Sequence, residues 1–259
     1  MQHVVTADGT EIAYSDGGQG RDLVLVHGIT ESHRAWEPAL AGLQAKWRVV
    51  AVDARGHGES DRHAPYDPVT MANDVGAVVA ALQLDDPLVV GHSMGGVVVS
   101  AYGGLGLPAR GIVNVDQLLA LGSFKEALEP LIPMLQGDDA SFRDAMTMVF
   151  SVLDGPLPPD ERARLDALSS PEPEVVLGVW QPVFENSVEE LDAMAAELLS
   201  GISVPYLAIH GSDPGVDYVH WLGLVVNAQV EVWPNAGHYP HLVDPDRFAE
   251  RLEQFDGGL

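Results

Sequence analysis

The stretch LVVGHSMGGVVVS, Leu88 to Ser100, sets one serine between two glycines where a short apolar run gives way to a second with helical spacing. The first half, Pro87 to Ser93, is β-branched and nearly continuous, as expected of a strand covered on both faces. The second, Gly95 to Leu105, is long enough for a crossover helix. Gly91, His92, Ser93, Met94 and Gly95 fill a Gly-x-Ser-x-Gly pattern. At such a seam the serine caps a sharp strand-to-helix turn with strained dihedrals, and the glycines let neighbouring elements pack closely. Its hydroxyl is then exposed at the carboxyl edge of a sheet, and the Met94 amide opens a helix whose dipole favours developing negative charge. A helix N-cap serine after a glycine turn has the same five letters, so the rest of the chain has to decide.

Similar apolar runs recur on both sides of it: Asp22 to Gly28, Trp47 to Asp53, Gly111 to Asp116, Val204 to Gly211 and Gln229 to Pro234. Between them, Ala35 to Ala45 and Val69 to Leu84 supply further crossovers that bring each strand back parallel to the last. Asp8-Gly9, between Val4 to Thr6 and Ile12 to Ser15, predicts an opening hairpin. A final helix is expected over Pro245 to Phe255. From about Gln117 to Gly201 helical spacing replaces the strand signal, in pieces Phe124 to Leu135, Ser141 to Leu153, Asp160 to Leu168 and Glu189 to Leu199, with prolines expected to set stiff turns between short helices. The expected architecture is an α/β, mostly parallel doubly wound sheet, with residues 1–116 and 202–259 as the core domain and 117–201 as an inserted helical cap.

Composition narrows the function. With 38 acidic against 13 basic residues the formal net charge is −25, which repels nucleic acid and anionic membranes. The chain has no cysteine, so disulfides, thiolate metal sites and a cysteine nucleophile are excluded. No leader-like N-terminus and no run of membrane-spanning length are visible, and a cytoplasmic protein, monomer or homodimer, is the expectation. No phosphate loop, His-Glu-x-x-His pair or dinucleotide fingerprint occurs, and no histidine spacing demands a metal, so no cofactor is expected.

A serine nucleophile near neutral pH needs a base, and a histidine base needs an acceptor that fixes its tautomer. His238, in NAGHYPHL after the last strand, is the best-placed base; His241 is its competitor, at the start of a descent into helix. For the acid, Asp213 in HGSDPG follows a strand and gives the chain order serine, acid, histidine. Asp116, ending GIVNVD, also stands at a strand's carboxyl end and is the alternative, with Asp217 third. The loop VHGITESHRAW offers the Ile29 amide as partner to that of Met94 in an oxyanion hole. His27 is expected to brace that loop. Asp53, Arg55 and His57 in VDARGHGES are expected to hold another through hydrogen bonds and an ion pair.

Four separated motifs, VHGITESHRAW, VDARGHGES, GHSMGG and NAGHYPHL, together resemble the α/β-hydrolase superfamily, in its branch of esterases, lactonases, haloperoxidase-like perhydrolases and carbon-carbon bond hydrolases. The resemblance runs from Val4 to about Phe255 and matches the middle segment only as a cap. It implies Ser93 as nucleophile, His238 as base, an acid after the Val204 to His210 strand, and the Ile29 and Met94 amides as oxyanion hole. Relatives commonly place two residues between the glycine and that acid, whereas Gly211-Ser212-Asp213 leaves one. Some relatives, dehalogenases among them, take the acid from the position of Asp116. A serine at the elbow argues against dehalogenase or epoxide hydrolase chemistry.

The expected reaction is acyl transfer to water on a small, largely apolar ester or lactone. Phe124, Leu131, Met134, Met146, Phe150, Trp180 and Phe184 are candidates to line the pocket, although most are read first as helix packing, and Trp36 is read as packing beneath the oxyanion loop with a substrate wall as the alternative. The few basic residues of the cap, Lys125, Arg143, Arg162 and Arg164, disfavour a strongly anionic substrate. Other readings of the same residues are a perhydrolase, a carbon-carbon hydrolase, a cofactor-free lyase, or a non-catalytic receptor for a small molecule.

Overall fold

The continuous apolar runs become strands of one sheet. In the computed structural model, which describes residues 1–259 other than Val152, Asp154 and Val226, the strands are β1 (Gln2–Val5), β2 (Glu11–Gly18), β3 (Arg21–Val26), β4 (Trp47–Val52), β5 (Leu88–His92), β6 (Gly111–Val115), β7 (Tyr206–His210) and β8 (Ala228–Val232). Their spatial order is β1-β2-β4-β3-β5-β6-β7-β8. The pairs β1–β2 and β2–β4 are antiparallel and every other pair is parallel. The hairpin turns at Gly9, whose φ of 88° suits glycine.

Helices α1 (Glu37–Gln44), α2 (Pro68–Ala81) and α3 (Met94–Gly104) follow β3, β4 and β5 in turn. Between β6 and β7 come α4 (Gly122–Leu128), α5 (Ile132–Leu135), α6 (Asp139–Ser151), α7 (Pro159–Leu168), α8 (Pro173–Glu185) and α9 (Val188–Ser200). The chain closes with α10 (Val216–Leu222), α11 (Pro240–Val243) and α12 (Pro245–Asp256). Strand side chains alternate between two apolar layers, as the period of two requires. Val24, Val26, Val50 and Val52 pack with α2 and α3, while Leu23, Leu25, Val49 and Ala51 pack with α1 and α12. Each fully buried aliphatic side chain contributes about 1.5–3 kcal/mol, so both layers are substantial and the sheet is doubly wound. No helix among the described residues is long and apolar enough to cross a membrane.

The middle segment departs from expectation in detail. The single helix predicted over 124–135 is broken by Pro130 and Pro133 into α4, a 3-10 turn at Glu129–Leu131, and α5, because proline has no amide to continue the ladder. Conversely, Pro173 opens α8 and Pro182 lies inside it, where a turn was expected. Burial of Val175, Val176, Val179, Trp180 and Val183 on one face of α8 outweighs the roughly 3 kcal/mol that an interior proline costs. The helix predicted over 141–153 ends as α6 at Ser151, and its expected continuation meets Val152, outside the described residues.

Candidate active site

Ser93 occupies the turn between β5 and α3 with φ 52° and ψ −122°, a left-handed conformation costing a non-glycine residue on the order of 1–3 kcal/mol. Close packing imposes it. A Cβ on Gly91 would overlap the Gly95 carbonyl, and one on Gly95 would overlap the Val26 and His27 carbonyls, so only glycine lets β5, α3 and β3 approach this closely. The Ser93 amide donates to the Val115 carbonyl at 3.0 Å, which pins the turn to β6. The side chain remains partly exposed at the carboxyl edge of the sheet.

Facing it, the loop after β3 makes a turn in which Glu31 donates its amide to the Gly28 carbonyl at 3.3 Å and Thr30 has φ 65°. His27 braces this loop. Its Nε2 accepts the Ala54 amide at 3.1 Å, which puts the ring proton on Nδ1, and Nδ1 donates to the Gly28 carbonyl at 2.6 Å. Among the described residues, the Ile29 and Met94 amides have no protein acceptor, so both are available to an oxyanion. The other loop is held as expected: Asp53 accepts the His33 and Glu59 amides at 2.6 and 2.9 Å. The buried Arg55 grips Asp74 with two bonds of 2.6 and 2.7 Å, and His57 Nδ1 donates to the Arg55 carbonyl at 3.0 Å.

His238 lies in the loop after β8, and its Nδ1 donates to Asp116 Oδ2 at 2.8 Å. This corrects the first choice of acid. Asp213 is exposed and its carboxylate accepts the amide of Gly215 at 2.9 Å, a local turn that commits it away from His238; Asp217 is exposed on α10. Asp116 itself has φ 53°, and its other oxygen accepts the Gly211 amide at 2.7 Å. Burial alone would raise the Asp116 carboxyl, but the His238 bond and charge, the Gly211 amide and the nearby His210 hold it below its ordinary value. Burial lowers the His238 imidazole, with Asp116 opposing. A neutral imidazole with its proton fixed on Nδ1 leaves Nε2 free to accept one.

His241, the competing base, is buried beneath the site, its ring centroid 4.6 Å from that of Trp36 and 4.5 Å from that of His92. For Trp36 the preferred packing reading holds and the pocket-wall alternative is corrected. The side chain has no exposed surface and stacks on Phe248 in the layer under α1 and α12, so it is packing and forms no pocket wall. Trp180 and Met146 are buried in the same apolar cluster as Ile29 and Met94, and Phe124, Met134 and Phe150 pack partly buried against that cluster. Phe124 meets Trp180 edge to face, with centroids 5.6 Å apart. The helical segment also touches the oxyanion loop directly: Ser170 donates its amide to the Thr30 carbonyl at 2.9 Å. Two residues went without a role in the sequence, Glu31 and His92, although both lie inside quoted motifs; the signal was an ionisable group beside each candidate catalytic backbone.

The sequence matches the profile of the Alpha/beta hydrolase family over residues 23–251. It is 30% identical to a non-heme haloperoxidase of Rhodococcus erythropolis, an alignment spanning 98% of this chain and 99% of the relative. Among solved structures it resembles the esterase RhEst1 from Rhodococcus sp. ECU1013, with TM-score 0.75 and 29% identity over 98% of this chain and 97% of that one. The esterase EaEST from Exiguobacterium antarcticum shares the fold, with TM-score 0.79 at 21% identity over 98% of both chains. The elbow serine, the mostly parallel sheet and these matches lead to one conclusion: the chain belongs to the alpha/beta hydrolase family, and it is an enzyme.

Proposed function

We propose that the protein is a serine hydrolase that cleaves small, largely apolar carboxylic esters or lactones through an acyl-enzyme at Ser93. The observation that carries the reading is the 2.8 Å bond from His238 Nδ1 to Asp116, made at the sheet edge where Ser93 is strained and partly exposed. In this reading Ser93 Oγ attacks the substrate carbonyl carbon as its proton passes to His238 Nε2. Asp116 holds the imidazole in the accepting tautomer and stabilises the imidazolium that forms. The tetrahedral oxyanion takes the Ile29 and Met94 amides, each worth on the order of 3 kcal/mol. Collapse breaks the ester bond, the leaving alkoxide receives the proton from His238, and water repeats the sequence to release the carboxylic acid and free Ser93.

The segment 117–201 acts as a cap over the core formed by 1–116 and 202–259. Its Trp180, Met146 and Phe124 belong to or pack on the apolar cluster that holds Ile29 and Met94, an apolar surrounding that supports an uncharged acyl group. Among its basic side chains, Lys125 already donates to the Val183 carbonyl at 2.9 Å and Arg164 to the Ala35 carbonyl at 3.1 Å, so neither is committed to an anionic substrate. The 30% identity to a non-heme haloperoxidase favours one second reading, in which hydrogen peroxide replaces water as the attacking nucleophile and the acyl-enzyme is released as a peracid.

The test is a fluorophosphonate reaction followed by peptide mass analysis, with turnover of p-nitrophenyl esters of increasing chain length. Labelling confined to Ser93, absent in Ser93→Ala, with sustained turnover of short esters is the expected result. Folded wild type that stays unlabelled refutes the reading. Labelling without turnover would favour a receptor. Bromide oxidation that needs both peroxide and a carboxylic acid would favour the perhydrolase.

A further inference from the structure

Beneath the site lies a pair of ionisable side chains that the acyl-transfer scheme leaves unused. Glu31 and His92 are both buried. Glu31 Oε2 accepts the Gly28 amide at 2.9 Å and approaches His92 Nδ1 at 3.6 Å. His92 Nε2 lies 2.8 Å from the carbonyl oxygen of His238; because a carbonyl can only accept, that nitrogen carries a hydrogen and donates it. His92 is also the residue immediately before Ser93. The Glu31 approach is an ion-pair distance, with no hydrogen bond to His92 Nδ1 among the described residues, and the pair brings together three distant chain segments: the oxyanion turn after β3, the elbow after β5, and the base loop after β8.

The chemistry of the pair is unusual for mere packing. An ionised carboxylate under a sheet edge carries a desolvation penalty of several kcal/mol, and an apolar substitute of similar shape often leaves stability unchanged or improved. Here burial would raise the Glu31 carboxyl, yet the His92 contact, the nearby His27 and the Gly28 amide hold it down at about 2, so it stays charged throughout the neutral range. The His92 ring is packed on His238, Tyr239 and His241, with centroids 4.8, 4.9 and 4.5 Å away, which leaves it little freedom to swing away from the His238 carbonyl.

We propose that Glu31 and His92 are positioning residues that lock the oxyanion turn and the His238 loop into one unit, setting the base and the Ile29 amide at a fixed distance from Ser93. The inference rests on the serine hydrolase reading. Asp116 fixes the His238 ring through Nδ1, whereas His92 fixes its backbone, and the two restraints act on different bonds. Loosening the second lets the imidazole drift relative to Ser93, and a displacement near 1 Å at a reacting group lowers rates by about 100-fold.

The experiment compares wild type with His92→Phe, His92→Gln, Glu31→Ala and Glu31→Gln, reading kcat and KM for p-nitrophenyl acetate, the rate of fluorophosphonate labelling at Ser93, and thermal unfolding. His92→Phe keeps a ring but has no donor, and kcat and labelling should fall roughly 10- to 100-fold with KM within about twofold. Glutamine can aim its amide nitrogen at the His238 carbonyl, so His92→Gln should recover most of that loss. Glu31→Gln, which keeps an acceptor for the Gly28 amide, should retain more activity than Glu31→Ala. Folded variants with wild-type kcat overturn the proposal, as does a loss that appears in KM alone or a glutamine no better than phenylalanine at position 92. If His92→Phe does not fold, the Glu31 pair decides by the same criteria. Wild type unlabelled at Ser93 overturns the hydrolase reading and this inference together; labelled wild type with indifferent variants overturns this inference alone.

Discussion

Asp116→Asn is the sharpest test of the site, because the structure dictates how an asparagine would be read. Two donors converge on the Asp116 carboxylate: the Gly211 amide on Oδ1 at 2.7 Å and His238 Nδ1 on Oδ2 at 2.8 Å. Asparagine has one acceptor oxygen and one NH2 group. The Gly211 N–H cannot turn away, since its backbone follows directly from β7, so the oxygen must stay with it and the NH2 faces His238. Nδ1 then becomes an acceptor and the imidazole proton moves to Nε2, the nitrogen that has to receive the serine proton. The equivalent wrong tautomer in serine protease triads lowers kcat by about 10,000-fold, which is roughly 5 kcal/mol of barrier. The assay is steady-state hydrolysis of p-nitrophenyl acetate at pH 7.5, with folding checked by circular dichroism and Asp213→Asn as control. Asp213 is exposed and, among the described residues, its carboxylate is bonded within its own turn, so its variant should stay within about twofold of wild type. More than about a tenth of the activity left in Asp116→Asn, or a matching loss in Asp213→Asn, would refute the assignment.

Burial lowers His238 while Asp116 raises it, so kcat/KM should climb with pH and level off below the ordinary histidine value of about 6.5; removing Asp116 should move that midpoint lower still, and a midpoint that rises would contradict the geometry. Stability should also fall in acid. His57 is driven down to about 3 by burial, with His27 reinforcing, and the unfolded chain therefore binds a proton below about pH 6.5 that the folded chain rejects. The sign is loss of stability as pH drops, about 1.4 kcal/mol per unit for each such histidine. Burial lowers His27, His210 and His241 too, so the urea midpoint should drop clearly between pH 7 and pH 5, and a flat midpoint would count against these assignments. Gly95→Ala should abolish soluble expression or lower the melting temperature sharply, because its Cβ meets the fixed Val26 and His27 carbonyls; a well-folded variant would show that the elbow is looser than drawn. Asp74→Ala strands the buried Arg55 without its bidentate partner and should cost roughly 3–5 kcal/mol in equilibrium unfolding.

Much of the frame was legible because it is local. β-branched runs declare strands covered on both faces, and each run between Asp22 and Asp116 is a strand at nearly the expected place. Ser93 was legible for the same reason, since its strain is set by Gly91 and Gly95 within two residues on either side. Helix α8 was not, because two prolines spoke against it while the burial that sustains it comes from distant neighbours such as Tyr66, which packs on Gly178. Trp36 stayed open between packing, the preferred reading, and a pocket wall, because a large aromatic near a catalytic loop suits both until α12 is folded against it.

The sequence by itself determined the doubly wound sheet, the elbow serine and the histidine that follows the last strand, all of them encoded in spacing along short stretches. Only the tertiary structure decided which aspartate meets His238. Asp116 and Asp213 follow β6 and β7, which are adjacent and parallel, with ends separated by roughly 5 Å, so both stand at the correct edge and chain order favours neither on physical grounds. A left-handed φ at Asp116 and the Gly211 amide turn one carboxylate inward, while the amide of Gly215 takes the other into its own loop. A hydrogen bond between residues 122 positions apart is a property of how two loops descend from a sheet, and no pattern within either loop contains it.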